Sequence, residues 1–218
     1  MIKKIILSTL LIGILQSCSE QKKETEIKAE ESIENPTNEV LLSSEIRWEK
    51  LNPARGNQSP QAGTIWGDRK GEIATGFLAK FSDGFSSPPH IHNVTYRAVV
   101  LKGLIHNNDA DAKNMWMPTG SFWTQPKGEA HITSAKGPEN IAYVEIDSGP
   151  YLVKSVQEAF NSGQRPINID ASNVVWLNKD KTNWIDTNCN AEISFLWESK
   201  DSQGLFIKLS SGFDGTTQ

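Results

Sequence analysis

Cysteine is nearly absent. The 218 residues contain two, Cys18 and Cys189, too few for a disulfide-stapled scaffold. Histidine is also scarce, with four in the whole chain, so a close pair of histidines calls for an explanation. A basic excess is missing as well: 22 Lys and Arg stand against 26 Asp and Glu, for a net charge of −4. With no positive field, nucleic acid is excluded as a partner. Long periodic apolar stretches are few. What the chain does have is ten prolines, sixteen glycines and seven tryptophans, a composition that favours β structure.

One apolar run breaks the pattern. MIKKIILSTLLIGILQSCSE has two lysines, apolar residues from Ile5 to Leu15, and then Leu15-Gln16-Ser17-Cys18. The run is short for a membrane span and has the layout of a secretory signal. The small residue directly before Cys18 resembles the lipobox of bacterial lipoproteins. That resemblance implies a signal peptide over residues 1–18, lipidation of Cys18, and a protein exported and lipid-anchored to the bacterial membrane, facing the periplasm or the cell surface. Cys189 would then be the one thiol of the mature chain, and it reads as a buried small hydrophobe. Residues 19–44 are polar and rich in Glu and Lys, too poor in apolar groups to offset the entropy of ordering, and read as a flexible tether.

From Ile46 onward, short runs recur between Gly, Pro, Asn and Asp: EIRWEK, GTIWGD, IATGFLAKF, VTYRAVVLKG, SFWTQP, AHITSA and IAYVEID. This is the pattern of an all-β sandwich or barrel. One helical turn or a short helix is expected over Val156 to Asn161, closed by Gly163. The chain also repeats itself, since GFLAKFSDGF at 76–85 aligns with GLFIKLSSGF at 204–213, and Trp66 and Trp197 precede the two segments at similar spacing. We read this as a tandem duplication. One complete barrel is expected over 45–155, a linker with the short helix over 156–171, and the first strands of a second, truncated copy over 172–218. A half barrel leaves open edges, so these strands are expected to pack on the first domain or to form a dimer wall; a homodimer is left open.

Within GFSSPPHIHNVTYRAVVLKG, residues 84–103, His90 and His92 fall on one face of a strand with Ile91 on the other. Two imidazoles so placed can meet one ion. His131 lies in a later strand-like segment after the turn Pro126-Lys127-Gly128. Three imidazoles on a barrel wall leave coordination positions open for substrate, as catalytic metal sites do.

These residues resemble the cupin superfamily. Its first motif is Gly, five residues, His-x-His, three or four residues, Glu, six residues, Gly; here it reads Gly84, FSSPP, His90-Ile91-His92, NVT, Tyr96, RAVVLK, Gly103. The second is Gly, five residues, Pro-x-Gly, two residues, His, three residues, Asn; here it reads Gly120, SFWTQ, Pro126-Lys127-Gly128, EA, His131, ITS, Ala135. Only the Glu and Asn positions are substituted, by Tyr96 and Ala135. The wording PPHIHNVTYR, WMPTGSFWTQP and EIDSGPYLV is similar to a group of bacterial two-cupin proteins, often exported. The resemblance implies a cupin double-stranded β-helix, or jelly-roll barrel, carrying a divalent metal on His90, His92 and His131. Fe, Mn, Ni, Cu and Zn all remain open.

Tyr96 stands where most metal cupins place a glutamate ligand. Three roles are open to it: a core aromatic that hydrogen-bonds an imidazole, a donor to a substrate or dioxygen oxygen, or a direct ligand. Without the glutamate the +2 charge is uncompensated, which favours small anionic chelating substrates. Gln125 is a candidate for orienting the reacting oxygen. Glu129 is a candidate for orienting His131 or for a base, against the plainer reading of a solvated turn carboxylate. His106 reads as a turn cap at the barrel rim, and Trp116, Phe122 and Trp123 as pocket mouth or core. The expectation is a metal-dependent enzyme, oxygenase-type or performing isomerase, lyase or hydrolase chemistry. The alternative is a non-catalytic small-molecule-binding or sensing lipoprotein of the cell envelope.

Overall fold

The structure, a computed structural model, describes residues 39–199 and 202–213. The signal peptide, Cys18 and most of the tether lie outside the described residues. Eleven strands follow in order: β1 (Trp48–Lys50), β2 (Gln61–Trp66), β3 (Thr75–Phe81), β4 (His90–His92), β5 (Tyr96–Asn108), β6 (Phe122–Gln125), β7 (Ile132–Ile146), β8 (Val153–Ser155), β9 (Ile167–Ile169), β10 (Ala191–Glu198) and β11 (Gln203–Leu209). Seven of them form one antiparallel sheet in the order β1-β2-β3-β7-β5-β6-β9, and β4 pairs with β8 in a separate ribbon. This is the expected all-β jelly-roll arrangement. No helix among the described residues is long and apolar enough to cross a membrane.

Alternation along β5 sorts the side chains. Tyr96, Ala98 and Val100 point inward and are buried, while Arg97 and Val99 lie on the outer face. The strand slips register between Val100 and Leu104, bending at Gly103, whose φ of 77° is the left-handed region that favours glycine. A Cβ there would collide with Asn140 and the Glu139 carbonyl. Fully buried Asn140 staples the bend, its amide donating to Gly137 O at 2.7 Å and its oxygen accepting from Leu104 N–H at 3.3 Å. Bending lets β5 pair with β7 over both halves of its length, Tyr96 against Ile146 and Asn108 against Ile132. The core lies on the inner face, where Phe77, Val100, Ile105, Trp123 and Ile146 are almost wholly buried. Each such side chain contributes roughly 1.5–3 kcal/mol relative to exposure.

The segment expected as a linker holds more than a connection. Where one helical turn or a short helix was expected, a single 3-10 turn spans Val156–Glu158, its start capped by the Ser155 hydroxyl. β9 then joins the edge of the main sheet against β6. Beyond it, β10 and β11 form a hairpin that repeats the local geometry of β2 and β3. Trp66 pairs with Gly76 just after a register slip, and Trp197 pairs with Gly204 in the same way. In both pairs the indole fills the space a glycine Cβ would take. Lys80 Nζ sits 5.5 Å from the Trp48 ring, and Lys208 Nζ sits 5.5 Å from Trp176. Trp197 also anchors the hairpin to the outer face of the sheet, with the Arg97 guanidinium 3.7 Å from its ring centroid and held from behind by Asp147 at 2.8 Å.

Candidate metal centre

The backbone brings the three histidines together before their side chains do. His90 N–H donates to His131 O, and His131 N–H to His90 O, both at 3.0 Å. Such a pair places both side chains on the same face. The Pro126-Lys127-Gly128 turn contributes directly, since Gly128 N–H donates to His92 O at 2.9 Å. Gly128 has φ 78°, and a Cβ there would strike Phe160. The second motif's glycine thus fastens its turn to the first motif's histidine strand.

One ring nitrogen of each histidine lies within 4.8 Å of those on the other two. Which nitrogen is free follows from the partners of the other. His90 Nδ1 is 3.0 Å from Pro88 O, His92 Nδ1 3.1 Å from Leu152 O, and His131 Nδ1 3.1 Å from Glu129 O. A carbonyl only accepts, so each Nδ1 carries the proton and each Nε2 keeps a lone pair. Burial lowers the pKa of all three, that of His131 to about 3, and the proximity of the other imidazoles lowers those of His92 and His131 further. The imidazoles are therefore neutral at pH 7, as metal ligation requires. Three oriented nitrogen donors with no carboxylate beside them fit a borderline transition ion rather than magnesium or calcium.

Tyr96 belongs to a buried network. Its hydroxyl donates to Asn107 Oδ1 at 3.0 Å, accepts from Trp123 Nε1 at 3.4 Å, and lies 3.4 Å from His131 Nε2. Asn107 Oδ1 also accepts from Thr133, and Asn107 Nδ2 donates to Gln125 Oε1 at 2.9 Å. Gln125 Nε2 donates in turn to Glu129 O, the carbonyl that orients His131. Burial raises the Tyr96 phenol above its ordinary pKa, so it remains protonated, with its proton committed to Asn107. Of the three roles open to it, the geometry matches the core aromatic beside an imidazole.

Gln125 and Glu129 are placed differently from expectation. Gln125 is 1% exposed, with both ends of its amide bonded to protein partners, and it does not line the cavity. Glu129 does orient His131, through its backbone carbonyl rather than its carboxylate. It lines an outer groove with Phe160 and Arg165, not the interior cavity. His106 lies within β5 and is fully buried, its Nδ1 accepting from Met115 N–H of the following loop at 3.2 Å. Trp123 lines the cavity, Phe122 an outer groove, and Trp116 packs near His106.

A cavity of about 350 Å³ opens between the inner face of the main sheet and the β4–β8 ribbon, with His90, His92, Tyr96 and Tyr151 on its wall. Tyr151 stacks on His92 with ring centroids 4.4 Å apart, and its hydroxyl lies 3.2 Å from His92 Nε2. Asn93, the residue after His92, clamps this loop. Its amide donates to Pro150 O at 2.8 Å and its oxygen accepts from Leu152 N–H at 2.9 Å.

Residues 39–218 match the family profile described as Domain of unknown function (DUF4437). The chain belongs to this family. None of the curated protein sequences matches the DUF4437 chain. Among solved structures it resembles a candidate dioxygenase of Nostoc punctiforme PCC 73102, with 17% identity, a TM-score of 0.52 and coverage of 65% of this chain. The match spans 48% of that protein, about half its length. It also resembles RmlC-like cupins of Shewanella frigidimarina NCIMB 400 (12% identity, TM-score 0.41, 52% of this chain and 93% of that one) and Ralstonia eutropha JMP134 (17%, 0.44, 62% and 81%). At these identities the likeness concerns the fold alone. Sequence reading of this DUF4437 protein missed Tyr151 and Asn93. Both stand in segments that the sequence marks, Tyr151 in EIDSGPYLV and Asn93 directly behind the His-x-His pair, but no local period shows that they meet.

Proposed function

We propose that the protein is a metal-dependent enzyme acting on a small anionic chelating substrate, oxygenase-type or performing other metal-assisted chemistry. The observation that carries this reading is the cluster of three imidazoles, each with its Nε2 lone pair freed by an Nδ1–H bond to a carbonyl, beside a cavity whose wall includes His90 and His92. A divalent ion held there supplies a Lewis acid for a chelating oxygen donor, or a redox centre where the ion is Fe, Mn or Cu. The chain's own residues do the rest. His90, His92 and His131 hold the ion, and the Tyr96–Asn107–Gln125 network keeps His131 in place. Phe77, Ala79 and Val144 give the cavity an apolar wall. Three neutral ligands leave the ion's charge to be balanced by the substrate.

We extend the proposal to the rest of the chain. Residues 172–218 are read as the opening strands of a second cupin copy, and the protein as exported and lipid-anchored through Cys18. Elemental analysis of protein from its native source, followed by oxygen-consumption and product assays with diketones, thiols and hydroxy acids, tests the enzymatic reading. The expected result is about one ion per chain, lost in His92→Ala, with turnover of one substrate class. Metal-free protein unchanged by His92→Ala removes the basis of the site. Saturable ligand binding without turnover by any metal form favours the sensing alternative.

A further inference from the structure

The cavity wall is chemically one-sided. Phe77, Ala79 and Phe81 from β3, Ala142 and Val144 from β7, and Phe85 give it an apolar lining, and no carboxylate lines it among the described residues. Apart from Ser87 and Thr133, its polar groups fall in two places. At one stand the imidazoles of His90 and His92 with the hydroxyls of Tyr96 and Tyr151. At the other, beside exposed Leu51 and Asn52, stands Arg55, the one cationic side chain on the lining among the described residues. The Arg55 guanidinium lies 4.9 Å over the Phe85 ring and donates one N–H to Ser86 O at 3.1 Å. Its remaining donors are left for a ligand.

We infer that the ligand of this cavity is an organic acid with a chelating oxygen head and an apolar body of about aryl size, admitted past Arg55 and received at its head by Tyr151. The inference rests on the metal-dependent reading and narrows its substrate class. Two cationic centres with no acid between them select for an anion. An apolar volume of about 350 Å³ is more than a two- or three-carbon acid fills, and a polar body such as a sugar would leave its hydroxyls unpaired against Phe77, Phe81 and Val144. Tyr151 is suited to the head. Its hydroxyl meets His92 Nε2, the lone pair an ion would take, so an ion held there would leave that hydroxyl's proton to be accepted by a ligand. Tyr96 cannot substitute, because its proton goes to Asn107.

The test uses the full chain loaded with Co(II), whose visible spectrum reports ligand binding without turnover. The probes are benzoylformate, pyruvate and uncharged benzoylformamide. Benzoylformate is expected to bind at least tenfold more tightly than pyruvate, since burying a ring in place of a methyl removes on the order of 100 Å² more apolar surface from water. It is expected to exceed benzoylformamide by a similar factor. Arg55→Gln should weaken benzoylformate at least threefold and leave benzoylformamide unchanged. Tyr151→Phe should weaken both acids at least fivefold while Co(II) affinity holds or rises. Equal binding of pyruvate and benzoylformate, or of the acid and its amide, overturns the inference on wild-type protein alone, whatever the variants do. Acid binding unchanged in both variants also overturns it. Failure of the wild-type protein to bind Co(II) refutes the metal-dependent reading itself, an outcome distinct from Co(II) bound with a flat ligand panel.

Discussion

Replacing Asn93 by alanine tests whether the site is preorganised by the loop that carries Tyr151. The side chain makes two bonds to that loop, 2.8 Å to Pro150 O and 2.9 Å to Leu152 N–H. Leu152 O is the acceptor that fixes the His92 tautomer. Each bond contributes about 1 kcal/mol net, and water reaches part of this half-buried position, so Asn93→Ala should destabilise the fold by about 1–2 kcal/mol. For a chain of this length that lowers Tm by about 2–8 °C. The effect on metal binding should be larger than stability alone explains. Loss of an outer hydrogen-bond partner of a ligating imidazole typically weakens metal affinity 10- to 100-fold, and Asn93 controls such a partner. A chelator-competition titration with Zn(II) or Co(II), run beside a thermal melt, separates the two quantities. Asn93→Asp keeps the acceptor for Leu152 N–H and should recover part of the affinity. The reasoning is refuted if Asn93→Ala lowers Tm as expected but leaves the metal dissociation constant within twofold of wild type.

Three further outcomes follow from the same geometry. Tyr96→Phe leaves the buried Trp123 Nε1 without its acceptor and should cost about 1–3 kcal/mol of stability; metal affinity and turnover should change less than threefold, and a hundredfold loss of kcat in a well-folded variant would make Tyr96 catalytic after all. With His131 held to about pKa 3 by burial, the metal-free unfolded chain takes up that proton first as pH falls below about 6.5. Denaturant melts of metal-free protein should therefore show full stability above pH 6.5 and a decline below it, by up to about 1.4 kcal/mol per pH unit from this group; a flat profile between pH 6.5 and 4 contradicts the neutral cluster. Finally, bacteria expressing the full chain with labelled palmitate should yield a labelled protein and an unlabelled Cys18→Ala variant, and an unlabelled wild-type chain refutes the lipid anchor.

Much of the fold and of the histidine cluster was legible because both are written in local periods. Alternation put His90 and His92 on one face, and the motif glycines at 103 and 128 marked a strand bend and a tight turn that other residues fill poorly. The sequence also showed the hairpin repeat, since the Trp and Gly positions that pair in β2–β3 recur in β10–β11. Tyr151, Asn93 and Arg55 were not legible in the same way. The first two meet the site through pairing of β4 with β8, about sixty residues apart, and no local period encodes that register. Arg55 enters on an irregular turn between β1 and β2. Glu129 shows a different limit. Position alone cannot say whether a residue acts through its side chain or its carbonyl, and at 129 it is the carbonyl.

The tyrosine at position 96 has consequences beyond its own contacts. A carboxylate ligand there would balance part of an ion's charge and would need buried donors. The described network instead suits a neutral hydroxyl: Trp123 donates to it, and Asn107 accepts from it while accepting also from Thr133. A carboxylate could accept from Trp123 but would face Asn107 Oδ1 without a proton between them, an arrangement that is costly in a buried site. Position 96 is thus matched to an uncharged residue by its neighbours, independently of any ion. The two phenols consequently divide the work, Tyr96 bracing the wall that carries His131 and Tyr151 holding a proton on the cavity side. Any charge the ion brings must be met from outside the chain, and the apolar wall and Arg55 restrict what can meet it.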